Sequence, residues 1–142
     1  MNTTSENKFP ALPFAGRILL AAIFIISSFG KIAAPEATQG YIASVGLPAP
    51  VLAYLAAVAI ELGGGVLLLV GYRTRLVAAG LAAFSIVSAI FFHHALGDQN
   101  QLFHFLKNLG LAGGLMQVVA FGAGAFSLDN RKEGSHNPAA VR

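Results

Sequence analysis

Residues 51–70 read VLAYLAAVAIELGGGVLLLV, a run that is apolar or glycine throughout except for one carboxylate, Glu61, near its middle. A run of this length suits a helix crossing the hydrocarbon core of a bilayer. A carboxylate at the centre of such a helix costs a few kcal/mol or more unless it faces other helices, a partner or water. Glu61 therefore sets two questions: what bundle surrounds it, and what answers its charge.

Working outward, three more segments have the same character. The spans are predicted at about Pro13–Ile32, Pro50–Val70, Leu76–His93 and Phe103–Phe126. Prolines stand at the starts of the first two, where the first helical turn tolerates them, and Pro35 closes the first. The Gly71–Arg75 link is very short, so spans two and three form an antiparallel hairpin. Gly40–Pro48 reads as a loop or short interfacial helix ended by Gly46 and Pro48. The expected fold is an all-α bundle of four transmembrane helices occupying residues 13–128, between a polar tail at 1–12 and a disordered tail at 129–142 that contains His136. The polar Met1–Lys8 start and the long run after it point to a retained first helix and not to a cleaved signal.

Composition supports the membrane reading. Of 142 residues, 56% are hydrophobic and 11% charged, whereas a soluble domain carries roughly a quarter charged residues. The net charge of +3 is spread over loops and ends, which excludes a nucleic-acid patch and leaves the lipid bilayer as the expected partner. Cysteine is absent, so thiol redox chemistry and cysteine-ligated metal are excluded from the chain itself. With four spans, Lys8, Arg17, Arg73, Arg75, Arg131, Lys132 and Arg142 fall on one side, and only Lys31 and Lys107 on the other. This bias places both termini in the cytoplasm. The two arginines of the short link suit anionic headgroups.

Candidate functional residues follow from polar groups in apolar surroundings. On span two, Ala57, Glu61 and Gly65 recur at every fourth position, and Gly110 and Gly114 form a GxxxG on span four. Such stripes let helix backbones approach and would turn Glu61 inward. At about 1.5 Å of rise per residue, Glu61 lies about 16 Å from the outer end, with Lys107 and Arg17 each about 6 Å in from opposite ends. Either base could pair with Glu61, and the sequence leaves the choice open. Near the outer end, His93 and His94 close span three, while His104, Lys107 and Asn108 share one face of span four. Histidine there could shuttle protons, bind haem or donate to a quinone carbonyl. The plain alternatives are an ion pair that fixes helix register and ordinary interfacial polar residues. Within the spans there is no His-x-x-x-His or Glu-x-x-His spacing, so no metal site is expected.

Several segments together resemble the DoxX family of small bacterial inner-membrane proteins. They are Gly16-Arg17, Phe29-Gly30-Lys31-Ile32, Gly46-Leu47-Pro48, Glu61-Leu62-Gly63-Gly64-Gly65, His104-Phe105-Leu106-Lys107-Asn108-Leu109 and Ser127-Leu128-Asp129. The resemblance covers about Phe14–Asp129 and departs from the family pattern at Ser27-Ser28, where a glycine is expected. It implies a four-helix membrane fold in the bacterial inner membrane. The family takes its name from a subunit of a thiosulfate:quinone oxidoreductase, which makes quinone the implied cofactor. On that reading the candidate catalytic residues are Glu61, His104 and Lys107, and the candidate cofactor-binding residues are Arg17, His93 and Asn108. Electrons would enter from a redox partner subunit or a soluble donor, and the sequence leaves a homo-oligomer open. The alternative is a non-enzymatic membrane scaffold or small transporter-like bundle held together by Arg17, Glu61 and Lys107.

Overall fold

The chain's fold was analysed in a computed structural model, which describes residues 9–135, with side chains through residue 131. The expectations for Met1–Lys8, His136 and Arg142 lie outside the described residues. Every regular element is helical: α1 (Leu12–Ala33), α2 (Pro35–Ser44), α3 (Pro50–Val70), α4 (Thr74–Phe92), α5 (Gln99–Phe121) and α6 (Leu128–Ser135). Three of these, α1, α3 and α4, are long and apolar enough to cross a membrane. The fourth expected span corresponds to α5, whose 23 residues give the length. Its first half, however, carries Gln99, Asn100, Gln101, His104, Lys107 and Asn108, which keeps it from meeting the same standard of apolarity.

Local chemistry sets the helix ends. Proline occupies the first turn of α1, α2 and α3, where a missing N–H leaves no bond unmade. Pro35 ends α1 and at once opens α2, so the expected loop after span one is largely a ten-residue helix. α3 stops at Gly71 (φ 72°), whose N–H bonds Leu67 O at 3.0 Å while that of Tyr72 reaches the same carbonyl at 3.1 Å. Glycine takes this left-handed turn without the cost a side chain would add. α5 begins four residues earlier than the predicted span because Asp98 caps it, accepting from Gln101 N at 2.9 Å. It ends at Gly122 (φ 84°), five residues before Ser127.

α1 packs along α3, α4 packs along α5, and α2 lies against α3. The buried centre contains Phe24, Leu68, Leu81 and Leu115. Large apolar residues such as Leu19, Ile26, Leu52, Leu76 and Phe121 are exposed, as lipid-facing positions are. The small-residue stripes are used selectively. A Cβ placed on Gly65 would stand 2.8 Å from Ile25 Cγ1 and 3.4 Å from the α1 backbone, and one on Gly64 would stand 2.8 Å from Leu81 Cδ2, so a side chain at Gly65 would press on α1 and one at Gly64 would require Leu81 to shift. On α5, Gly114 approaches Leu20, but Gly110 has nothing within 4 Å, so the expected GxxxG contact is made by only one of its two glycines.

Residues 129–135, expected to open a disordered tail, belong to α6. Ser127 starts the helix by accepting from Asn130 N at 3.2 Å. Asp129 then ties it to the bundle through contacts made far back in the sequence.

Candidate functional site

Glu61 is buried, 6% exposed. Its partner is Lys31, whose Nζ lies 2.8 Å from Oε2 and 3.0 Å from Oε1. Ser27 completes the cluster: its hydroxyl donates to Glu61 Oε1 at 3.2 Å and accepts from Lys31 Nζ at 2.8 Å. Neither Arg17 nor Lys107, the two bases considered from the sequence, pairs with Glu61.

Helix geometry explains the choice. Side chains on an α-helix lean toward its N-terminus. α1 and α3 are antiparallel, since Arg17 meets Leu68 while Lys31 meets Glu61. Lys31 therefore leans inward along α1 while Glu61 leans outward along α3, and the two converge. Arg17 leans away from Glu61, toward the opposite end of the bundle. The lysine also passes Ser27, one turn earlier on the same face. The position at which the family pattern implied a glycine thus holds a hydroxyl that bonds to both members of the pair.

Arg17 is 1% exposed and serves the other end. It donates to Leu68 O at 3.2 Å, to Leu69 O at 3.5 Å and to Phe126 O. These are carbonyls at the C-terminus of α3 and in the segment after α5, where few helical N–H groups remain to bond them; Leu68 O also accepts from Gly71 N at 3.2 Å. Its guanidinium also stands 5.6 Å from the Phe14 ring. Close by, Asp129 accepts from Arg73 N and Thr74 N, each at 2.8 Å, and from the Thr74 hydroxyl at 2.7 Å. Its own N–H reaches Gly71 O at 2.9 Å. An acid from the end of the chain therefore caps α4. Arg17 is a helix tie here and is not near the cavity described next.

The Lys31–Glu61–Ser27 cluster forms one wall of a cavity of about 690 Å³. Lys107, Asn108 and His93 line it as well, so four of the six sequence candidates meet there: Glu61, Lys107, Asn108 and His93. Arg17 and His104 do not line it. His104 stands beside the site, its ring stacked on His93 at 5.0 Å and its Nδ1 3.3 Å from Lys107 Nζ. Most of the remaining wall is apolar, with Phe24, Ile60, Phe84 and Leu111 among its members. α2 forms a side of the cavity, and its Tyr41 hydroxyl donates to Phe92 O at the end of α4, 2.9 Å away. His93, just past α4, bonds Gln101 Oε1 through Nδ1 at 3.1 Å. Burial pushes its imidazole below the usual histidine range, and the neighbouring His104 and Lys107 charges add to this against the Gln101 bond.

Sequence reasoning missed Ser27, Lys31 as partner, Tyr41 and Asp129. The first two carried a readable signal, a hydroxyl and a base four residues apart on one face of the first helix. The Tyr41 contact crosses between elements 51 positions apart and left no local trace.

The fold is that of a small apolar helical membrane protein with a buried acid paired to a lysine, and the DoxX family model matches residues 12–94: the chain belongs to the DoxX family. It is similar to two proteins of Escherichia coli (strain K12). It is 34% identical to the inner membrane protein YqjF over 113 residues, covering 80% of this chain and 85% of that one. It is 35% identical to the inner membrane protein YphA over 127 residues, covering 86% of this chain and 91% of that one. No solved structure matches the chain. With its apolar helices, these relatives identify it as a multi-pass inner-membrane protein.

Proposed function

We propose that the chain is a four-span membrane subunit that binds a quinone in the cavity beside Glu61. The observation that carries this reading is the cavity itself. A volume of about 690 Å³ lies within the range of small-molecule sites, and apolar walls with a few convergent polar groups are their usual make-up. The donor set fits a quinone: carbonyl oxygens accept hydrogen bonds, and Lys31, Lys107 and Asn108 present N–H donors to the space. When bound, the quinone would supply two-electron, two-proton redox chemistry, which the chain's own side chains lack. Lys31 and Lys107 would orient the ligand's polar end, the apolar wall would exclude water from it, and Glu61 would hold or release a proton at its carboxylate. Electrons would come from a partner subunit or soluble donor. α5 would be the fourth span, its Lys107 and Asn108 turned to the cavity, and both termini would face the cytoplasm as the distribution of bases implies. A C-terminal reporter that is active only in the periplasm should stay silent.

The test of the ligand is mass spectrometry and a visible spectrum on protein extracted gently from its own membrane. A co-purifying quinone is the expected result. With quinone present, Glu61→Gln should keep the fold and impair quinone-linked turnover, and unchanged turnover would remove the proton role.

One observation favours the non-enzymatic scaffold reading: Lys31, Ser27 and Glu61 bind to one another without any ligand. Recovery of phospholipid alone, with turnover of quinone-linked partners unaffected by loss of the chain, would decide for the scaffold.

A further inference from the structure

The charges around the cavity do not cancel. Lys31 and Glu61 neutralise each other at 2.8 Å. Lys107 faces the same cavity from α5, and among the described residues it joins no ion pair. Its polar contact is the Nδ1 of His104 at 3.3 Å, a group that brings no negative charge. The cavity lining therefore has one cation in excess, two lysines against one glutamate. Lys107 is also about one turn inside the expected span that begins at Phe103, and a cation that enters the apolar region is costly unless something of opposite sign or water meets it.

We propose that the cavity binds an amphiphile whose head carries a single negative charge, with the head at Lys107 and the apolar chain along the Phe84 and Leu111 side. The attraction is strengthened where apolar walls thin the water around the pair. The already closed Lys31–Glu61 pair leaves Lys107 as the lysine on the cavity, among the described residues, that has no acid to pair with. Two sources share this chemistry: a free long-chain carboxylate and the phosphate of an anionic phospholipid from the bilayer. The proposal rests on the reading of the cavity as a ligand site, and goes beyond it by adding an anionic class of occupant to the neutral quinone.

The experiment compares oleate with oleyl alcohol, its uncharged counterpart, by native mass spectrometry and competition binding on the full chain in nanodiscs of phosphatidylcholine. Oleate should bind at least about tenfold more tightly, the effect of one ion pair of about 1.4 kcal/mol. Lys107→Gln should erase that difference while Lys107→Arg keeps it, and raised salt should narrow it. Displacement of oleate by phosphatidylglycerol would identify the lipid headgroup as the source, and failure to displace it would identify the free carboxylate. Equal binding of oleate and oleyl alcohol, or a preference that survives Lys107→Gln, would overturn the proposal. If Lys107→Gln does not fold, the comparison of the two probes in the unaltered protein decides alone. A short-chain neutral ubiquinone analogue serves as the separate probe of the quinone reading. Its binding without an oleate preference sinks only the charge proposal, whereas no binding of any probe sinks both.

Discussion

The two ends of this bundle use polar residues in opposite ways. At the Arg17 end, the charged side chains bond mostly to backbone: Arg17 covers carbonyls at the close of α3 and after α5, and Asp129 covers the amides that open α4. At the Lys31 end, polar side chains meet one another around a space, with Lys31, Ser27 and Glu61 on one side and Lys107, Asn108 and His93 on the other. Both ends place charge in apolar surroundings and both border a space, about 690 Å³ beside Lys31 and Glu61 and about 800 Å³ beside Arg73, Arg75 and Asp129; the Lys31–Glu61 pair lines the first, whereas Arg17 does not line the second. Burial of a charged residue is thus a poor guide to function until its partners are known. Arg17 is more deeply buried than Glu61, and its hydrogen bonds go to backbone carbonyls away from the Lys31 cavity.

The comparison can be broken by mutation. The largest effect should come from Arg17→Ala, about 3–5 kcal/mol of lost stability, because several buried carbonyls lose their donor at about 1–3 kcal/mol each. Unfolding in mixed detergent micelles measures it, and a loss below about 1 kcal/mol would undo the view of that end as a structural tie. Next, Glu61→Ala and Lys31→Ala should each destabilise the bundle by stranding the opposite charge. Their double-mutant cycle should give a coupling of about 1–3 kcal/mol, while a Glu61–Lys107 cycle should give a value near zero. Gly65→Ala should cost about 1–3 kcal/mol by driving a methyl into Ile25, whereas Gly110→Ala should stay within about 0.5 kcal/mol. The smallest effect is expected for Tyr41→Phe, about 0.5–1.5 kcal/mol for one hydrogen bond. Its sharper readout is faster hydrogen exchange in α2, with α1 and α3 unchanged.

Much of this was legible in the sequence. Apolar runs and prolines located the helices to within a few residues, because a membrane helix is written in length and composition. Glu61 announced itself as the lone carboxylate in its run, and four of the six flagged side chains do share a cavity with it or form it. The partner was not legible from depth alone. Rise per residue locates Cα atoms, but Lys31 and Glu61 meet because their side chains lean toward each other from antiparallel helices, a direction that a depth estimate ignores. The helix at 128–135 was hidden for a different reason. Its sequence is polar and lacks a core-facing stripe, and it is held by Asp129 reaching residues 73 and 74, which no local pattern encodes.

That same reach has a consequence for biosynthesis. The turn between α3 and α4 is complete only when Asp129 arrives, 55 positions after Thr74. The ribosome must therefore deliver nearly the whole described chain before this hairpin acquires its final cap. Until then the nascent hairpin waits in the bilayer with bare amides at its tip, and the later-made Asp129 segment acts as the clasp that closes it.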